Sequence, residues 1–173
     1  MALQLQAQNE IETKSDSLIN QMSDDFKISQ NDTRIDRYAN SGASWSDRFD
    51  LKSKKHFLNK YGQKDYLDYS FTFIYFSDTD SCLNARNEYL QHYSWKSGAL
   101  TDSTKYTARP PSFNLINDNS IVIFEVSCEE YEMGEKWSWS EVKKILISAF
   151  GSIESEIIEN GCGGPVKWTN KKE

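Results

Sequence analysis

The alternation of apolar and polar positions divides the chain near residue 67. Two segments, Phe71-Thr72-Phe73-Ile74-Tyr75-Phe76 and Ile121-Val122-Ile123-Phe124-Glu125-Val126, are apolar at odd and even positions alike. Successive side chains of a strand point to opposite faces, so strands of this kind need cover on both sides. Between them, Ser77-Asp78-Thr79-Asp80 is dense in N-cap residues, and Cys82, Ala85, Tyr89 and Tyr93 recur at helical spacing. Residues 95–111 read as a long loop closed by Pro110-Pro111. Phe113 to Ile116 and Ile121 to Cys128, joined by Asn117-Asp118-Asn119, read as a hairpin, because asparagine tolerates the left-handed backbone of a tight turn. Ser138 and Glu141 form a capping box ahead of Val142, Ile145, Leu146 and Ala149, and Gly151 stops that helix. Residues 153–159 read as a last strand, with a short helix capped by Ser152 as the alternative. Val166-Lys167-Trp168 reads as an edge piece beyond a turn at Gly161 to Pro165.

This order predicts an α+β domain over 67–168, a ferredoxin-like split β-α-β-β-α-β sheet with two helices on one face and strand order 4-1-3-2. Residues 10–66 read as a helical N-terminal extension. Glu10 to Met22 puts Ile11, Leu18, Ile19 and Met22 roughly on one side of a helix, and 31–46, rich in Asn, Asp, Ser and Gly, reads as loop. Ser53 is read as the cap of a second helix that carries Phe57, Leu58 and Tyr61 and ends at Gly62. Residues 1–9 read as a disordered start or as the remnant of an exported bacterial protein's leader, cut near Ala7. Residues 169–173 read as a charged tail.

A split sheet of this kind packs its helices on one face, which leaves large apolar groups on the other. The candidate interaction face is Phe71, Phe73, Tyr75, Ile121 and Ile123. Three covers are open for it: the N-terminal helices, a second copy or protein partner, or a ligand.

Charge narrows the partners. The 173-residue chain has a net charge of −6, with aromatic residues at 13%. An acidic surface repels phosphate backbones, which excludes nucleic acid and leaves a protein partner or self-association. No segment approaches the roughly 18 apolar residues of a membrane span.

Candidate chemistry is sparse. Cys82 sits near a helix N-terminus, where the dipole lowers a thiol's pKa, but the commoner role of such a residue is a small buried apolar group. His92, ten residues further along the same helix, is roughly 15 Å away, which leaves His56 as the one candidate partner. Glu125, Glu129, Glu130, Glu132 and Glu135 cluster after a strand without calcium-loop spacing, as does Asp78-Thr79-Asp80, and both read as solvated acidic segments. Gly161 to Gly164 matches no phosphate loop. Trp137 and Trp139 cannot both face one side of a helix, so one of them is a candidate for a binding surface and core packing is the alternative. No catalytic constellation, metal set or cofactor motif can be assembled.

The three cysteines allow at most one internal disulfide. Cys128 and Cys162 follow two strands that finish at the same end of the sheet. With one strand between them those strands lie about 9.6 Å apart, beyond the about 7 Å a disulfide spans, unless the loops converge. Cys128–Cys162 is the candidate disulfide if the protein is exported.

The sequence thus predicts a non-catalytic binding or protein-interaction module, exported to the periplasm or secreted. The alternatives are a small acidic cytoplasmic inhibitor of a basic partner, resembling immunity proteins, and then an unrecognised enzyme.

Overall fold

The computed structural model describes residues 2–58, 62–97, 110–129, 136–162 and 166–171, with side chains for all of these but 2–3 and 93–97. Helix α1 spans Ala2–Met22 and is followed by strands β1, Phe26–Gln30, and β2, Trp45–Ser53. A two-residue pair, β3 at Phe57–Leu58 and β4 at Lys64–Asp65, forms its own small hairpin. Then come β5 (Asp68–Tyr75), α2 (Thr79–Ser97), β6 (Ser112–Ile116), β7 (Ser120–Val126), α3 (Trp139–Phe150), β8 (Glu156–Asn160) and β9 (Val166–Thr169).

The chain is α+β, with one antiparallel seven-stranded sheet in the order β1-β2-β5-β7-β6-β8-β9. The ferredoxin-like order is not the one found. Counting β5, β6, β7 and β8 as the four expected strands, they run 1-3-2-4. The edge of β5 expected to receive the last strand is occupied by β2, which pairs with it from Trp45↔Tyr75 to Lys52↔Asp68. The last strand, β8, pairs with β6 instead.

Residues 26–53 therefore belong to the same sheet as the later strands, and the division at residue 66 is not a structural boundary. In β2, Trp45, Phe49 and Leu51 face the core while Ser46, Arg48, Asp50 and Lys52 alternate to the other side, the period of a half-covered strand. Among the described residues no helix follows Ser53; Phe57–Leu58 is a short strand, and Tyr61 lies outside the described residues. Ser53 does not cap; its hydroxyl donates to Lys55 O at 2.8 Å and accepts from Leu67 N at 2.9 Å, pulling the chain into a turn. At the start, α1 extends to Ala2 where a disordered segment was expected. Its first turns are held from outside: Tyr75 Oη donates to Gln4 O, and Gln4 Nε2 donates to Ser77 O.

Helices cover both faces of the sheet, not one. In an antiparallel pair, directly opposite residues share a face. Phe71 and Phe73 stand opposite Phe124 and Val122, and this face is covered by Leu18, Ile19 and Met22 of α1 and by Val142 and Leu146 of α3. Ile121 and Ile123 stand opposite Ile74 and Thr72 on the other face, under α2. There Cys82, Ala85, Arg86, Tyr89 and Leu90 are buried, an i, i+3, i+4, i+7, i+8 stripe. Asp78 starts α2 by accepting from Ser81 N at 2.8 Å, and Ser138 starts α3 by accepting from Glu141 N.

Candidate functional site

The residues singled out from the sequence are placed apart. Cys82 lies in the core under the start of α2, its thiol 3.5 Å from Asn117 O. His56 packs tilted against Tyr66 beside the β3–β4 hairpin, with ring centroids 4.1 Å apart, and His92 stacks on Tyr38 at 4.2 Å. Asn117 lies past the C-terminal end of β6 and His56 past the C-terminal end of β2, at opposite ends of the sheet, so the Cys82–His56 pairing does not form. Glu125 joins Arg48, Glu129 is exposed, and Glu130, Glu132 and Glu135 lie outside the described residues. Asp78 serves as the α2 cap. Among the described residues no group of three His, Cys, Asp or Glu could hold a metal ion.

The proposed interaction face is corrected on two counts. Phe71, Phe73 and Tyr75 share one face while Ile121 and Ile123 lie on the other, and all five are buried. Trp137 and Trp139 are both largely buried: Trp139 stacks on Phe124 with centroids 5.0 Å apart, and Trp137 packs edge-on to Phe26.

Cys128 and Cys162 form a disulfide with Cα atoms 5.1 Å apart. Their strands, β7 and β8, are separated by β6, so the two connections converge beyond the strand ends. This end of the sheet also carries the start of β1, the end of β2, the start of β5 and the approach to α3.

Two arrangements on the surface have chemical content. The first is a charged network beside α2 on the second face. In register across six strands stand Ser29, Asp50, Ser70, Glu125, Ser112 and Asn160. Arg48 bridges this row. Its guanidinium donates to Asp50 Oδ1 at 3.1 Å, Glu125 Oε2 at 3.3 Å and Ser70 Oγ at 2.7 Å. Burial alone would raise the Asp50 carboxyl, but the Ser70 hydrogen bond, the Arg48 charge and hydrogen bond, and the Asn31 amide outweigh it and hold the pKa low. Cations and anions here already satisfy one another, so the adjoining groove of about 620 Å³ presents little unmet demand for a ligand.

The second is a cavity of about 410 Å³ at the disulfide end of the sheet. Phe26, Phe57, Leu67 and Trp137 supply its apolar walls, and Asp25, Ser53, Lys55 and Lys136 its polar groups. Tyr69 Oη donates to the Trp137 backbone carbonyl, and Trp137 Nε1 donates to Asp25 Oδ2 at 2.8 Å, so both the backbone and the indole of Trp137 are held. Lys136 Nζ reaches the same oxygen at 2.8 Å. The hydrogen bonds from Lys136 and then Trp137 keep the Asp25 carboxyl below its ordinary value, hence ionised. Phe57, on the small hairpin, closes one side. A hairpin of two residue pairs has little stability of its own and relies on such packing. The volume falls in the range of small-molecule sites. The walls come from four separate segments, and of their residues only Trp137 is a candidate for a binding surface in the sequence.

No helix among the described residues is long and apolar enough to cross a membrane. Comparison of the chain with protein-family models, with curated proteins and with solved structures finds no match in any of the three.

Proposed function

We propose that this chain is a non-catalytic binding module acting in an oxidising, exported setting, with the Trp137 cavity as its binding site. The observation that carries the reading is the cavity itself. It is an apolar, indole-walled space at the end of the sheet where connecting segments converge, beside polar groups that leave room for a small molecule. The Cys128–Cys162 disulfide at the same end supports the exported setting, since such bonds persist where thiols are not kept reduced. The separation of Cys82, His56 and His92 supports a binding role over a catalytic one. The net charge of −6 disfavours nucleic acid.

Two measurements test this. Thiol titration of unreduced native protein after denaturation should find one thiol, Cys82; three would overturn the exported setting and favour the acidic cytoplasmic inhibitor. A thermal-shift screen of small apolar compounds should give hits that Phe57→Glu abolishes by placing a carboxylate in the cavity wall. Hits that survive this substitution would overturn the site, and a screen without hits would overturn the binding role.

A further inference from the structure

We infer that the Trp137 cavity takes a small amphipathic anion: an aromatic or branched apolar body with a carboxylate or sulfonate head. This rests on the reading of the cavity as a binding site and adds the class of ligand.

Most polar groups of the cavity lining are already satisfied. Ser53 uses its hydroxyl twice, as donor to Lys55 O and acceptor from Leu67 N. Asp25 is matched by Lys136 and Trp137, both on Oδ2. Lys54, next to the cavity in sequence, donates to Ser23 O at 2.8 Å. Lys55 remains. It lines the cavity and its side chain is exposed; its ammonium acts on the Asp25 carboxylate through its charge but makes no hydrogen bond or close ion pair with it, that carboxylate already accepting from Lys136 and Trp137. With Asp25 against Lys55 and Lys136, the cavity lining carries one net positive charge on a chain whose total is −6.

Local charge of the sign opposite to the rest of the molecule selects the head group. A cation would meet two ammonium groups. A neutral ligand would gain only the apolar walls. An anion pairs with Lys55 while its body lies along Trp137, Phe26 and Leu67. The partly apolar surroundings strengthen that pairing relative to one in open water.

The test uses two fluorescent probes of similar shape, anilinonaphthalene sulfonate, which is anionic, and phenylnaphthylamine, which is neutral. Both should bind the full-length, disulfide-intact protein, and Phe57→Glu should abolish both. Lys55→Glu should weaken the anionic probe about tenfold and leave the neutral probe within about twofold. Lys14→Glu, the same change in net charge two turns up α1, should alter neither. Equal affinity of both probes with no effect of Lys55→Glu would overturn the ligand class while leaving the binding site standing. Failure of both probes to bind would overturn the site and the inference together, and failure of the anionic probe alone would overturn the ligand class. An equal effect of Lys14→Glu would show the response to be to overall charge and would overturn the role of Lys55.

Discussion

Arg86 on α2 and Glu156 on β8 form a two-pronged ion pair, Nε to Oε2 at 2.8 Å and Nη2 to Oε1 at 2.7 Å, with the Glu156 side chain wholly buried. Trp168 of β9 donates its Nε1 to the same carboxylate at 2.7 Å. One carboxylate thus ties the covering helix, the last inner strand and the edge strand together. Removing either charge leaves the other buried without its ion-pair partner. Arg86→Met should therefore cost about 3–5 kcal/mol in urea unfolding. Arg86→Met combined with Glu156→Leu should recover most of that loss, leaving about 1 kcal/mol for the unpaired Trp168 N–H. A double variant no more stable than the single one would show that the pair itself sustains the fold.

The Cys128–Cys162 bond closes a loop with a sequence separation of 34. On the chain-entropy account, replacing both residues by Ser should destabilise the protein by about 3–4 kcal/mol, read as a lower urea midpoint. Reducing agent should lower the midpoint of the native chain and leave that of the double variant where it is.

Asp47 on β2 faces α1. Burial raises its carboxyl pKa, partly offset by the hydrogen bond from Gln30, and the charges of Asp32, Glu12 and Asp16 push it further up. A carboxyl whose folded pKa lies above its unfolded value opposes folding once pH exceeds the unfolded value, and the penalty is complete above the folded one. Asp47→Asn, which keeps an oxygen for Gln30, should therefore raise Tm at pH 7 and lose this advantage as pH falls below about 4. Solvent screening at this partly exposed site limits the gain to about 0.5 kcal/mol or less. A gain that persists at low pH would point to packing instead of charge.

Phe73 is fully buried between α1 and α3 on the first face, with its ring against Phe49 and Phe150 at centroid distances of 6.2 and 5.3 Å. Phe73→Ala should cost about 3–5 kcal/mol and leave the oligomeric state unchanged in sedimentation. A change in oligomeric state at unchanged stability would restore this position to an interface.

Much of the later half of the chain was legible as local structure. The capping box at Ser138 and Glu141, the Asn117–Asn119 turn and the caps before Cys82 are short-range hydrogen-bonding signals that act wherever the chain lies. β2 was harder to see. Its alternation is interrupted by Asp47, and it follows a polar stretch, so the period-two signal of Trp45, Phe49 and Leu51 is diluted. The candidate cavity was hardest, because Asp25, Ser53, Leu67 and Trp137 meet only after strands distant in sequence have paired.

The sequence by itself determined that Phe71–Phe76 and Ile121–Val126 are strands needing cover on both faces, because alternation of side chains is a property of the backbone. Which segments supplied that cover, and which edge β8 took, were decided only in the tertiary structure. β2 competes for the edge of β5, and the buried Arg86–Glu156 pair is satisfied only when β8 lies beside β6. These pairings join segments far apart along the chain, and no local pattern records them.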